Sequence, residues 1–149
     1  GTGDDNISAA GGDDKVFGSF GQDSVDGGSG NDTLFGGGGT DTVNGGTGND
    51  EIWGSAGDDV ISGGAGNDSF RFITGFGADT ISDFGATDGD TDTLDLGFIP
   101  GLTLEGLLAT ATFTNGNATL TVGTEGSIIL EGIDQAELQA IFDAGQVLV

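Results

Sequence analysis

Gly27-Gly28-Ser29-Gly30-Asn31-Asp32-Thr33-Leu34-Phe35 is followed eighteen residues later by Gly45-Gly46-Thr47-Gly48-Asn49-Asp50-Glu51-Ile52-Trp53. Eighteen further on comes Gly63-Gly64-Ala65-Gly66-Asn67-Asp68-Ser69-Phe70-Arg71. Working outward from these copies, Asp5, Asp14, Asp23, Asp32, Asp41, Asp50, Asp59 and Asp68 recur every nine residues. A glycine lies two positions before each: Gly3, Gly12, Gly21, Gly30, Gly39, Gly48, Gly57 and Gly66. An apolar residue lies two positions after each: Ile7, Val16, Val25, Leu34, Val43, Ile52, Ile61 and Phe70. Three registers in phase through eight units mark a repeat architecture. Phase also excludes the disordered linker that so much glycine would otherwise suggest.

With Gly27 as position one of the unit, the first six positions are rich in Gly and Asp. They can only turn, because glycine tolerates positive φ. The last three, Thr33-Leu34-Phe35 in that copy, form a short strand whose middle residue points inward. Two units close one coil of eighteen residues, and successive coils stack as parallel strands at about 4.8 Å. The aspartates then fall into two columns, one of Asp5, Asp23, Asp41 and Asp59, the other of Asp14, Asp32, Asp50 and Asp68. Neighbours in a column sit about 5 Å apart and, at an effective dielectric near 20, repel by about 3 kcal/mol. Six such contacts rival the ~5–15 kcal/mol stability of a whole domain. The fold therefore needs cations between its turns. Ca²⁺, which takes 6–8 oxygen ligands, suits stacked carboxylates and turn carbonyls, whereas Mg²⁺ wants a small hydrated octahedron.

The fullest copies resemble the RTX (repeats-in-toxin, hemolysin-type calcium-binding) nonapeptide, G-G-x-G-x-D-x-U-x with U a large apolar residue. The likeness runs through Arg71, and Ala9, Ala10, Ser19 and Ser55 depart from glycine at the first two positions. The resemblance implies an all-β fold, a right-handed parallel β-roll (a β-helix of nonapeptide repeats). It also implies ligation by stacked aspartates and by carbonyls near the first, second and fourth repeat positions. The candidate metal ligands are thus the eight repeat aspartates with Asp79. The candidate carbonyl donors are Gly1, Gly3, Gly12, Gly21, Gly27, Gly28, Gly30, Gly36, Gly37, Gly39, Gly45, Gly46, Gly48, Gly57, Gly63, Gly64 and Gly66. About three Ca²⁺ ions per column, about six in all, are expected.

The chain of 149 residues carries 25 acidic and 2 basic side chains, a formal charge of −23, with no His or Cys. Such a surface repels nucleic acid and anionic membranes. Lack of Cys excludes disulfides and thiolate-bound zinc. No apolar run is long enough to span a bilayer as a helix. No N-terminal signal peptide is visible and the chain opens on Gly, so it reads as a fragment of a longer protein. No catalytic constellation stands out. Enzyme activity is not expected in these residues, and any such activity is assigned to the part preceding Gly1.

Position nine points outward. On one sheet it reads Ser8, Asp26, Asn44, Ser62; on the other Phe17, Phe35, Trp53, Arg71. The second row is an aromatic ladder with an arginine able to stack on Trp53. These four residues are a candidate partner face, although cover by the rest of the protein is the expected reason for exposed aromatics. The third position lacks a regular threonine array, which removes ice binding.

Residues 1–82 are predicted to form the roll and 83–149 a β-rich C-terminal cap with a short helix. Thr74 to Ser82 reads as one more degenerate repeat, with Asp79 closing a column at a spacing of 20 rather than 18. Asp88, Asp90 and Asp92 alternate like an EF-hand opening, but Thr93 and Ile99 stand where that loop needs Gly and Glu. A solvated acidic loop is expected there, with an irregular calcium site as the alternative. Asn115-Gly116 between Thr112–Thr114 and Ala118–Val122 predicts a hairpin. Ser127–Glu131 reads as a strand, and Asp134–Phe142 as a helix with an Asp134/Glu137 capping box and Gly145 beyond its end. Resemblance to RTX proteins implies a type I secretion signal, read by an ABC transporter, near the C-terminus. The function expected is a calcium-binding RTX module that folds on calcium binding outside the cell and supports secretion of a larger protein. The alternatives are an adhesion domain binding a surface or glycan through the ladder, and the C-terminal domain of a secreted hydrolase.

Overall fold

The computed structural model describes residues 1–85 and 90–149. Its strands, in chain order, are β1 (Asn6–Ser8), β2 (Lys15–Phe20), β3 (Ser24–Ser29), β4 (Thr33–Gly38), β5 (Thr42–Thr47), β6 (Glu51–Ala56), β7 (Val60–Ala65), β8 (Ser69–Arg71), β9 (Gly77–Ile81), β10 (Thr93–Asp95), β11 (Thr112–Thr114), β12 (Asn117–Val122), β13 (Gly126–Leu130) and β14 (Val147–Leu148). Helices α1 (Leu104–Thr110) and α2 (Gln135–Asp143) lie among the last five. The fold is all-β, a parallel β-roll with two short helices.

Odd and even units feed different sheets. One sheet runs β1-β3-β5-β7-β9-β13-β12-β11, the other β14-β10-β8-β6-β4-β2. Within the repeats each pairing is parallel and steps by eighteen residues: Val25↔Val43↔Ile61 in the first sheet, Val16↔Leu34↔Ile52 in the second. The period of two along a strand turns position eight inward, so Val25, Leu34, Val43, Ile52, Ile61 and Phe70 are essentially buried. Each unit thus contributes one apolar side chain to a single-file core, which is narrow for a domain of this size.

Glycine has two distinct structural roles. At positions two and four φ is positive throughout, for example 105° at Gly46 and 123° at Gly48. Where the second position is not glycine the conformation persists, at Ala10 (73°), Ser19 (93°) and Ser55 (85°). These three residues hold a backbone that L side chains rarely adopt.

Beyond the repeats the sheets continue with irregular spacing. Ile81 pairs with Ile61 at a step of twenty, and Leu94 with Phe70 at a step of twenty-four. Then β13 joins β9 in parallel and β14 joins β10 in parallel. The expected hairpin is present, β11 with β12, and its turn has φ of 57° at Asn115 and 81° at Gly116. Helix α2 carries the expected capping box, with Asp134 accepting from the N–H of Glu137 at 2.9 Å and Glu137 accepting from that of Asp134 at 2.8 Å. Gly145 follows it at φ 72°. Helix α1 was not anticipated: Thr103 caps it by accepting from Gly106 N–H at 3.1 Å, and Leu107 is buried. The glycine in its first turn, Gly106, masks the pattern in the sequence. Among the described residues, no helix is long and apolar enough to cross a membrane.

Replacing Ser55 by Gly should relieve the strain at φ 85° and stabilise the calcium-loaded protein by about 1 kcal/mol. Replacing Gly48 by Ala should cost at least about 3 kcal/mol, because its φ is 123° and the Gly30 carbonyl occupies the Cβ position. Urea unfolding in calcium checks both.

Candidate metal centre

Position six lies at the end of each turn, where the chain enters the strand, and there the aspartates stack. In every case Oδ1 accepts the backbone N–H of the aspartate one coil earlier. In the first column Asp23 accepts from Asp5, Asp41 from Asp23 and Asp59 from Asp41, each at 2.8 Å. In the second, Asp32 accepts from Asp14 at 2.8 Å, Asp50 from Asp32 at 2.7 Å and Asp68 from Asp50 at 2.8 Å. These bonds fix the carboxylate planes and leave the second oxygen pointing into the turn.

That second oxygen, Oδ2, has no hydrogen-bond partner in Asp14, Asp23, Asp32, Asp41, Asp50, Asp59, Asp68 and Asp79, and all eight atoms are buried. An unpaired buried acceptor costs about 1–3 kcal/mol, more when charged. Eight of them along one roll is not a tolerable accident.

The first glycine of each unit shows where these oxygens point. A Cβ on Gly27 would fall 2.5 Å from Asp32 Oδ2 and 2.6 Å from the Gly45 carbonyl of the next coil. On Gly36 it would fall 2.6 Å from Asp41 Oδ2 and 2.8 Å from the Gly54 carbonyl. At Gly18, Gly27, Gly36 and Gly45 a side chain would fill the gap on which a carboxylate and a carbonyl converge; Ala9 is the one first position of the repeats that carries a Cβ. The carbonyls of positions two and four run the other way along the stack, Gly28 toward Gly46 and Gly30 toward Gly48. Among the described residues no three side chains converge as a metal cluster, so any bound ion must take backbone oxygens as well. An all-oxygen set of ionised carboxylate and carbonyl fits a hard cation, and its irregular, open geometry fits Ca²⁺ better than Mg²⁺.

Asp79 joins the first column as expected, its Oδ1 accepting from Asp59 N–H at 2.9 Å. Three further carboxylates take part, of which Asp90 and Asp92 had been marked only by their alternation and Asp83 by nothing. Asp92 ends the second column, accepting from Asp68 N–H and Gly85 N–H at 2.9 and 2.8 Å. It is 4% exposed, which corrects the expectation of a solvated loop; of the other alternating aspartates, Asp88 lies outside the described residues. Asp90 accepts from Gly66 N–H, and Asp83 accepts from Gly63 N–H, Gly64 N–H and the Ser62 hydroxyl. None of the three is in register with the repeat, so periodicity could not find them.

Position five was also overlooked. Asn31 donates its N–H to Asp13, Asn49 to Asn31 and Asn67 to Asn49, at 2.8, 2.7 and 2.8 Å. This side-chain ladder runs in the opposite direction to that of position six. The recurrence of Asn or Asp beside the repeat aspartate was the available signal.

Burial pushes the carboxyl groups up. Asp41, Asp50 and Asp92 are raised above 3.8, Asp59 and Asp68 rise to about 6, and Asp79 to about 8. Desolvation is the main cause, a backbone hydrogen bond opposes it, and neighbouring carboxylates add to it.

The outward ladder is stacked face to face. Ring centroids are 4.7 Å apart for Phe17–Phe35 and 4.5 Å for Phe35–Trp53. The Arg71 guanidinium lies 5.2 Å over Trp53, and the Lys15 ammonium 5.3 and 5.4 Å from Phe17 and Phe35. Phe17 remains 54% exposed, so the C-terminal extension does not cover it.

A family model described as the RTX calcium-binding nonapeptide repeat (4 copies) matches residues 1–34 and 35–70. Those residues belong to that family. No curated protein sequence matches. Among solved structures, the extracellular lipase LipA from Serratia marcescens is similar over 99% of this chain and 38% of its own, with 16% identity and a TM-score of 0.49. This chain therefore spans well under two thirds of that protein. The AlgE6R3 subunit of the Azotobacter vinelandii mannuronan C5-epimerase is similar over 99% and 78%, with 25% identity and a TM-score of 0.46. The AlgE6R2 subunit is similar over 96% and 90%, with 27% identity and a TM-score of 0.44.

The raised carboxyls set a pH dependence. Without calcium, the folded chain holds protons that the unfolded chain releases, because folded Asp59, Asp68 and Asp79 titrate near 6, 6 and 8 rather than 3.8. Their contribution to stability is full below 3.8 and is lost as pH rises through 6 to 8. In chelator, circular dichroism should show more β structure near pH 4 than near pH 8. With calcium the order should reverse, since binding needs the ionised carboxylates.

Proposed function

We propose that this chain is a calcium-gated folding module of a larger secreted protein, with a roll over residues 1–82 and a cap over 83–149. The observation that carries the reading is the set of eight buried, unpartnered Oδ2 atoms in two columns. Six of them, those of Asp23, Asp32, Asp41, Asp50, Asp59 and Asp68, face the space beside a first-position glycine rather than a donor. The proposed ligands are the repeat aspartates and Asp79, completed by the backbone carbonyls of positions one, two and four; the strands β2 to β7 run on through positions one to three of the next unit, so they are six residues long rather than the expected three. With Asp79 and Asp92 added, each column has four intervals between stacked aspartates, so the earlier expectation of three ions per column becomes four.

Where calcium is scarce, the column charges and the narrow core leave the chain unfolded. Extracellular calcium, matched to the ~10⁻⁴–10⁻³ M affinities of extracellular modules, folds it, and binding free energy becomes folding free energy. An unfolded chain suits export through a type I channel, and the C-terminal residues are the proposed contact with the transporter. In this reading the repeats bind ions, and any catalysis of the parent protein lies elsewhere.

Circular dichroism in excess chelator at neutral pH should show disorder, and calcium should restore β structure in one cooperative step. A stable β fold in chelator would overturn the proposal.

The exposed edge of Phe17 favours a second reading of the ladder as a partner face. Phe35 is stacked on both faces, by Phe17 and Trp53, so a partner would meet ring edges, the end ring Phe17 and Lys15. Replacing Phe35 and Trp53 by Ser should abolish partner binding and spare calcium-induced folding. Loss of folding would instead assign the ladder to stability.

A further inference from the structure

Side-chain hydrogen bonds of two senses tie each turn to the next. The position-six carboxylate accepts from an N–H one coil earlier, and the position-five side chain accepts from an N–H one coil later. In the second column both bonds span every interval. Asp32 N–H donates to Asp50 and Asn49 N–H donates to Asn31, each at 2.7 Å. Asp50 N–H donates to Asp68 and Asn67 N–H to Asn49, each at 2.8 Å. The outer intervals are closed alike, through Asp13 and Asn67. The first column is doubly tied only at its ends, through Asp4 and Asp58. Its two central intervals, Asp23–Asp41 and Asp41–Asp59, have the position-six bond alone among the described residues. Gln22 and Thr40 stand at position five there. A Gln carboxamide is one methylene longer than that of Asn, and a Thr hydroxyl is one bond shorter, so neither places its oxygen where Asn and Asp do.

The proposed ligands do not differ between these central intervals. A Cβ on Gly18 or Gly36 in the first column would meet carboxylate and carbonyl much as one on Gly27 or Gly45 would in the second. Gln22, Thr40, Asn31 and Asn49 are all uncharged and exposed. We propose that position five sets the calcium affinity of the interval it spans, which makes the two central intervals of the first column the weakest sites of the roll. The inference rests on the reading of the repeats as calcium sites and adds a rank order among them. Calcium affinity follows ligand charge and site rigidity. With charge equal, rigidity decides. A doubly tied turn already holds its carboxylate and carbonyls in place, whereas a singly tied turn must be ordered as the ion binds. One missing hydrogen bond weakens each central site about two- to tenfold. Asn31 and Asn49 are thus positioning residues that act through the aspartate beside them.

Amide hydrogen exchange of the full chain, followed as a calcium buffer lowers the free ion stepwise, tests this. In the wild type, the N–H groups of Asp23 and Asp41 should lose protection before those of Asp32 and Asp50, at a free calcium about two- to tenfold higher. In Gln22→Asn/Thr40→Asn, which completes the ladder, the four should open together. Asn49→Ala should move Asp50 N–H into the early group. Asn49→Asp keeps the acceptor, as Asp13 and Asp58 do naturally, and should leave Asp50 in the late group. Equal protection of the two columns in the wild type, or an early opening that persists in Gln22→Asn/Thr40→Asn, overturns the proposal and leaves the repeat sites standing. Absence of calcium binding in calorimetry overturns both. The wild-type comparison is independent of whether any variant folds.

Discussion

The buried Asp Oδ2 atoms are the constraint on which the rest of this molecule depends. Stacking coils at strand spacing forces like charges into columns, and the hydrogen bond to Oδ1 locks each carboxylate so that its other oxygen cannot turn to water. The core offers little to offset this. It is one apolar residue per nonapeptide, shared between two sheets. In the proposed reading, cations entering the turns supply what the core does not. The molecule supplies almost nothing itself, because its two basic residues, Lys15 and Arg71, lie on the outer face over the aromatic ladder.

The glycines follow from the same constraint. Positions two and four need glycine for the sign of φ, and three exceptions among residues 1–70 accept strain there. From Gly18 to Gly45, position one needs it for room, since a Cβ would occupy the point where carboxylate and carbonyl meet. The Asn/Asp ladder at position five binds adjacent turns without charge cancellation. It is continuous from Asp13 through Asn67 on one edge, and Gln22 and Thr40 interrupt the sequence pattern on the other. The two edges of the roll are therefore unequal even though their aspartate columns match.

How much of this could be read from the sequence depended on periodicity. Val25, Leu34 and Val43 were placed inward, and Asp23 and Asp41 in one column, because the register is strict. Asn115-Gly116 and the Asp134/Glu137 pair were legible because turn and cap chemistry is local. Helix α1 was not, since Gly106 sits inside it and a single Thr cap at Thr103 is a weak signal. Asp83 was not either, and the alternation of Asp90 and Asp92 marked them without showing where they attach. Their roles arise from the chain's return to the end of the roll after a step of twenty or more residues, a tertiary fact with no local mark. The position-five ladder was visible in principle and was hidden by the stronger signal of the aspartate beside it.

The cap has a physical task that the repeats set. A stack of coils presents open strand edges and an unfinished carboxylate column at its end. β13 and β14 extend the two sheets by backbone pairing, while Asp79 and Asp92 finish the columns with the same hydrogen bond used inside the repeat. The most direct test of this account is a crystal structure grown in calcium, with anomalous scattering used to locate the ions. The account predicts density within each column between stacked aspartates, against Oδ2 and the carbonyl of the facing first-position glycine. Ions bound only at the outer position-five side chains, or well-ordered columns with no ion at all, would contradict it.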